Sequence, residues 1–232
     1  IGVQPPGAIA LVSFDYTPAT EGEMSPLAAA VVKKLLGQGL RVVAVSLEPE
    51  GQAMAGSILQ QVTSPDDYGV KVLNLGYLPG GPVAIRNLTF GAPLAHARDI
   101  KTGQPYTTLD DWPQLETLAE IGLVVEISAN PDTARWWVEQ LQPHGNRTGF
   151  QMLAVVSAAE PFVRPYWEAN QITALVAGIN GAAALESARL QKTLGPATAM
   201  LDSQSVAHLV VMVLMLFGTI AGLIAKYGQE SD

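Results

Sequence analysis

Short apolar runs rich in β-branched residues alternate along the chain with segments whose apolar positions recur at helical spacing. Residues 8–14 (AIALVSF), 41–47 (RVVAVSL), 71–75 (KVLNL), 122–128 (GLVVEIS), 150–156 and 172–177 read as strands. Their apolar residues are nearly continuous rather than alternating, the pattern of strands covered on both faces. Ser25 and Pro26 mark a helix start, and Leu27, Ala30, Val31, Lys34 and Leu35 follow on one face until Gly37 and Gly39 stop it. Further helices are predicted over 50–62, 82–88, 112–119, from Asn130-Pro131 to near Gln142, over 161–170 with Pro165 interrupting, and over 180–191. Residues 90–110, with Gly91, Pro93, Gly103 and Pro105, read as irregular. Strands that alternate with helices predict an α/β fold: an open, mostly parallel sheet of about six strands with helices on both faces and right-handed crossovers.

Residues 206–225 (VAHLVVMVLMLFGTIAGLIA) carry no Asp, Glu, Lys or Arg and one His. As a helix they span roughly 30 Å, the thickness of a bilayer's hydrocarbon core. Asp202, Ser203 and Ser205 stand where helix caps would, and Lys226 and Tyr227 where the far interface would lie. The expected organisation is an α/β domain over 1–196, a juxtamembrane segment over 197–205, a transmembrane helix over 206–226 and a polar tail over 227–232. Gly218 and Gly222 form a GxxxG through which two helices can approach closely. The partners expected are therefore the lipid bilayer and other membrane subunits, or a second copy joined through this helix. Arg189 and Lys192 before the span and Lys226 after it leave its orientation open. The first residue is Ile1, which fits a signal peptide or a first membrane helix upstream. A preceding signal anchor would put the domain on the extracytoplasmic side, the orientation this reading leans to.

Composition agrees with a membrane location. Charged residues are 15% of the 232, against about 25% in an ordinary soluble domain, and mean hydropathy is +0.23. The net charge of −8 disfavours nucleic acid, whose binding rests on clustered cations. The absence of Cys excludes disulfides, thiolate metal sites and cysteine nucleophiles. With histidine only at 96, 144 and 208, neither a metal site nor a cofactor is expected.

Ligands of open parallel sheets bind beyond the carboxyl ends of the strands. The candidates there are Asp15, Tyr16, Thr17 and Thr20 after the first strand, Ser46 after the second, Gly80 and Gly81 after the third, Ser128 and Asn130 after the fourth, and Asn180 after the sixth. Glu48, Ser157 and Glu160 also fall at strand ends. Hydroxyls and glycines with few cations suit a neutral or hydroxylated ligand better than a dinucleotide. The motifs GxGxxG, GxxxxGK[ST] and GxSxG are absent from the places their chemistry requires. Asp15 ending a buried strand resembles the nucleophile of haloacid-dehalogenase-like phosphatases, but their second Asp is here Thr17. Asp15 also reads as an Asx-turn or cap that stabilises the turn, the reading favoured here, or as a ligand-binding group without chemistry. The PGG at 79–81 is either a plain turn or a set of backbone donors, and the GING at 178–181 either an anion-friendly helix start or close packing. Trp137 is expected to face the core with Ala134 and Leu141, leaving Trp136 pointing away. Glu126, inside an apolar strand, needs a partner if that strand is central.

The segments FDYTPAT, LGYLPGG and DSQSVAH, the last running into an apolar helix, together resemble a family of bacterial and archaeal membrane proteins with no established activity. The resemblance implies a Rossmann-like domain held between an N-terminal membrane segment and a C-terminal one. The family's first motif more often reads DYDP, so Thr17 is a departure from it. The function expected is a membrane-anchored binding or assembly module, a subunit or accessory protein of a membrane complex. The alternative is a membrane-tethered hydrolase of phosphate esters or glycans that uses Asp15.

Overall fold

The computed structural model describes residues 4–90, 94, 97–109, 112, 115, 120–148, 151–158, 161–187 and 195–229. Six strands form one all-parallel sheet: β1 (Ile9–Asp15), β2 (Arg41–Ser46), β3 (Val72–Tyr77), β4 (Ile121–Ser128), β5 (Gln151–Val156) and β6 (Ala174–Ala177). Their order is β3-β2-β1-β4-β5-β6. The expected α/β class is what the structure shows, with the strand order of the doubly wound dinucleotide-binding fold. The chain first builds outward from β1 to β3, then returns to β1's other side with β4. The junction between β1 and β4 is the switch point, where Asp15 lies opposite Ser128.

Side-chain alternation along the strands supplies two separate cores. Ala10, Val12 and Phe14 of β1 face α1 (Glu21–Gly37), α2 (Gly51–Val62) and α6 (Gly178–Ser187). Ile9 and Leu11 face the other way, toward α3 (Pro82–Phe90) and α4 (Pro131–Thr148). Every residue of β1 is buried, as a central parallel strand requires. Ser13, Asp15, Glu126 and Ser128 alternate onto the α3/α4 face and are all buried there. Because β4 is central, Glu126 is the demanding case anticipated above. Trp137 is fully buried with Ala134 and Leu141, and Trp136 is half-buried, as their spacing predicts.

Several boundaries differ from the expectation. Helix α1 begins at Glu21, so Ser25 is not its cap and Pro26 lies inside it. A 3-10 turn over Pro18–Thr20 leads directly into the helix, and Glu21 and Glu23 in the first turn favour its positive end. Helix α4 continues past Gln142 through Pro143 to Thr148. The 161–170 region is a 3-10 turn (Pro161–Val163) followed by the short α5 (Arg164–Glu168). Most of the helix expected over 112–119 lies outside the described residues, and the two described residues there, Trp112 and Leu115, are not helical; Glu160, Arg189 and Lys192 also lie outside them.

The largest difference is at the end of the chain. Helix α7 runs unbroken over Pro196–Gln229, 34 residues or roughly 50 Å. Asp202, Ser203 and Ser205 are therefore interior residues, and the two serines bond back to the carbonyls of Ala199 and Leu201. The cap comes instead from Glu186 of α6. Its carboxylate accepts the backbone N–H of Ala197 (3.2 Å) and of Thr198 (2.8 Å) and the Thr198 hydroxyl (2.7 Å). Gly195 allows this approach, since a Cβ there would run into the same carboxylate. Ala197 is fully buried in the α1/α6 core, whereas residues 202–223 are exposed. The helix is long and apolar enough to cross a membrane.

Glu186→Ala should cost about 1–2 kcal/mol, the range of a lost helix cap. Hydrogen exchange at the amides of Ala197 and Thr198 should accelerate about tenfold or more, while the β1 amides exchange at rates set by global unfolding.

Candidate functional site

The site is built around the carboxyl ends of β1, β2, β4 and β5. Asp15 has no exposed surface. Its Oδ1 accepts the Leu47 N–H at 2.6 Å, with the Ser46 hydroxyl 3.3 Å away. Its Oδ2 accepts the Ser13 hydroxyl and the Trp137 indole N–H, each at 2.7 Å. One carboxylate thus joins β1, the end of β2 and helix α4. Burial pushes its carboxyl up to about 6, against the pull of the Leu47, Ser13 and Trp137 donors.

Ser46 is equally enclosed. Its hydroxyl lies 2.7 Å from the Phe14 carbonyl and 2.8 Å from that of Glu48, and it accepts the Glu48 N–H at 2.9 Å. Gly51 lets α2 start against this knot, because a Cβ there would strike the Phe14 carbonyl and the Ser46 hydroxyl. At the end of β4, the Ser128 hydroxyl accepts the Asn130 N–H and bonds Thr133, both at 2.8 Å. The Asn130 Oδ1 accepts the Asp132 N–H at 3.0 Å, which caps α4.

Two carboxylates then bridge the crest. Asn130 donates through Nδ2 to Glu48 Oε1 at 2.8 Å, which ties the end of β2 to the end of β4 across β1. Glu23 of α1 accepts the Ser157 hydroxyl at 2.6 Å and the Ala158 N–H at 2.8 Å, beyond the end of β5. The Glu48 bridge passes over the switch point, and the Glu23 bridge joins the start of α1 to the chain after β5. They place negative charge where a doubly wound fold that holds a dinucleotide presents donors to its phosphates.

The other predicted residues are placed differently. Tyr16 turns to the opposite face, packs in the α1 core and bonds Ser25 at 3.1 Å; burial pushes its hydroxyl up to about 12. Thr17 and Thr20 are half-buried at the mouth of the 3-10 turn, where the Thr20 hydroxyl donates to the Thr17 carbonyl. Gly80 and Gly81 have φ of +112° and +54°, which side-chain-bearing residues rarely adopt, and form the turn into α3. Gly81 also lies against the Trp136 ring. Helix α6 starts at Gly178 directly after β6, so Asn180 sits exposed in its first turn, away from Asp15. A Cβ on Gly178 would meet Ala158, and one on Gly181 would meet Val176, so the small residues of GING serve close packing. Gly218 and Gly222 face open space, with no atom near either position.

Asp15, Ser46, Ser128 and Asn130 are thus brought together, but as an internally bonded cluster. Glu23, Trp137 and Ser13 were not among the predicted site residues. A buried indole has to place its N–H, and a buried carboxylate has to find donors, but nothing local pairs the two. No protein-family profile matches the chain, and no curated protein matches it significantly.

The folded chain keeps Asp15 protonated up to about pH 6, the unfolded chain only to about 3.8. Folding therefore takes up a proton between these values, and stability from this group falls as pH rises through that window, by about 3 kcal/mol in all. Trp137→Phe removes one donor to the ionised form. Urea unfolding should show a loss of about 1.5–3 kcal/mol at pH 8 and a smaller loss at pH 5, where the folded protein holds the neutral acid.

Proposed function

We propose that the chain is a membrane-anchored binding or assembly module, a subunit or accessory protein of a membrane complex. The observation that carries this reading is the attachment of α7. Its first turn is part of the domain core, and the uncovered apolar length beyond it matches a bilayer. A domain mounted this way is held at a set distance from the membrane rather than tethered loosely. Gly218 and Gly222 on the open helix offer the surface through which a second membrane helix would pack. At the crest, the half-buried Thr17, Thr20 and Asn130 are the groups a small polar ligand or a partner's loop would meet.

The alternative, a hydrolase using Asp15, has one observation in its favour: a carboxyl that titrates near neutrality is suited to acid–base work. Against it stands the complete enclosure of that carboxyl. The two readings separate in Asp15→Asn. An amide must turn its NH2 toward the donor of either Leu47 or Trp137, so the packing reading expects a clear fall in melting temperature. The hydrolase reading expects lost turnover at unchanged stability.

The module reading is tested by native mass spectrometry of the full-length protein, extracted gently from its own membrane. A stoichiometric membrane partner or a homo-oligomer is expected, weakened at least tenfold by Gly218→Ile with Gly222→Ile. Recovery in the soluble fraction, or a lone chain with neither partner nor ligand, overturns it.

A further inference from the structure

A second concave site lies away from the crest, beside the edge strand β3. It encloses about 420 Å³ between the C-terminal half of α2, the turn after it and the segment around Ile100 and Lys101. That is within the range of small-molecule sites, about 300–1,000 Å³. Tyr68, Pro65 and Ile100 give it apolar walls. The Tyr68 ring is held in place from behind, since its hydroxyl donates to the buried Asp99, which also accepts the N–H and hydroxyl of Thr102.

Gly56 is the informative residue. It lies in the middle of α2 with ordinary helical backbone, where glycine weakens a helix. The fold does not demand glycine there. A Cβ would meet only the Asn74 Nδ2, at an ordinary 3.7 Å. What the missing side chain does is leave the floor of the cleft open. The floor itself carries a polar group: Asn74 is 1% exposed and lines the cleft. Its Oδ1 accepts the Gly76 N–H and its Nδ2 donates to the Gln52 carbonyl, which leaves a second amide hydrogen with no acceptor among the described residues. At the rim, the Lys101 ammonium sits 4.1 Å over the Tyr68 ring and makes no ion pair among the described residues.

We propose that this cleft binds a small amphipathic carboxylate, with its anion at Lys101, its apolar body between Tyr68 and Ile100, and an acceptor atom toward Asn74. The chemistry selects the class: one cation, amide donors at Asn74 and at the rim residue Gln60, and apolar walls complement an acid with a compact apolar body. This site is independent of the crest and of the membrane reading.

The test is 19F NMR of 4-fluorobenzoate against the full chain in lipid nanodiscs, with 4-fluorobenzylamine as the matched cation and empty nanodiscs subtracted. Saturable binding of the benzoate is expected, at least tenfold tighter than that of the amine. Lys101→Met should weaken it tenfold or more. Gly56→Leu should abolish it while raising the melting temperature, which separates a filled cleft from an unfolded protein. Absence of saturable binding, equal binding of the amine, or binding that survives Gly56→Leu overturns the proposal.

Discussion

The carboxylate of Asp15 is where the two halves of the sheet and one covering helix are fastened to each other. Strands that are apolar on both faces draw little register information from hydrophobicity, because a slipped strand still puts apolar residues in apolar surroundings. The directional bonds at the end of β1 supply the missing discrimination. Leu47 follows β2, and Trp137 belongs to the helix that follows β4, so a shift of either strand past β1 strips a buried carboxylate of a donor. The cost of such a loss is large because the group has no access to water. Burying this acid lowers stability progressively as pH rises from about 3.8 to about 6, and the same burial makes misregistered pairings still less favourable.

The fold was legible because its strands are apolar almost without interruption, and only a sheet covered on both sides calls for that. The site was legible as a set of positions and illegible as a set of contacts. The ends of strands could be read from where apolar runs stop, which brought Asp15, Ser46, Ser128 and Asn130 to one edge. The bonds among them cross 122 residues from Trp137 to Asp15 and 134 from Ser157 to Glu23, distances over which no local pattern acts. Helix starts were misjudged for the same reason. Ser25-Pro26 and the Asp202–Ser205 group are good local cap signals, but the first helix is entered through a preceding 3-10 turn and the last is capped by Glu186 from a neighbouring helix.

That borrowed cap changes how the domain relates to the exposed apolar length of α7. A flexible tether would separate the two by a Gly- or Ser-rich stretch that behaves as a coil. Here the chain enters α7 at a residue already packed in the core, and the helix continues without a break into its apolar part. Residues 196–205 act as a stalk of roughly 15 Å. A tilt of the apolar length would therefore be passed to the domain through the α6/α7 contact around Glu186.

The glycines separate packing from function more clearly than the polar residues do. At Gly51, Gly178 and Gly195 a side chain would collide with backbone, with Ala158 or with the Glu186 carboxylate, so the fold itself demands their absence. The crest, where Gly51 and Gly178 permit such approaches, is filled by the protein's own groups, and its acids already hold partners from across the sheet. Gly56 meets no such demand, and its cost to α2 is not returned by any close approach among the described residues. A polar cluster that satisfies itself is what packing produces. An open cleft kept open at the expense of helix stability, with a donor and a cation still available, is what binding requires.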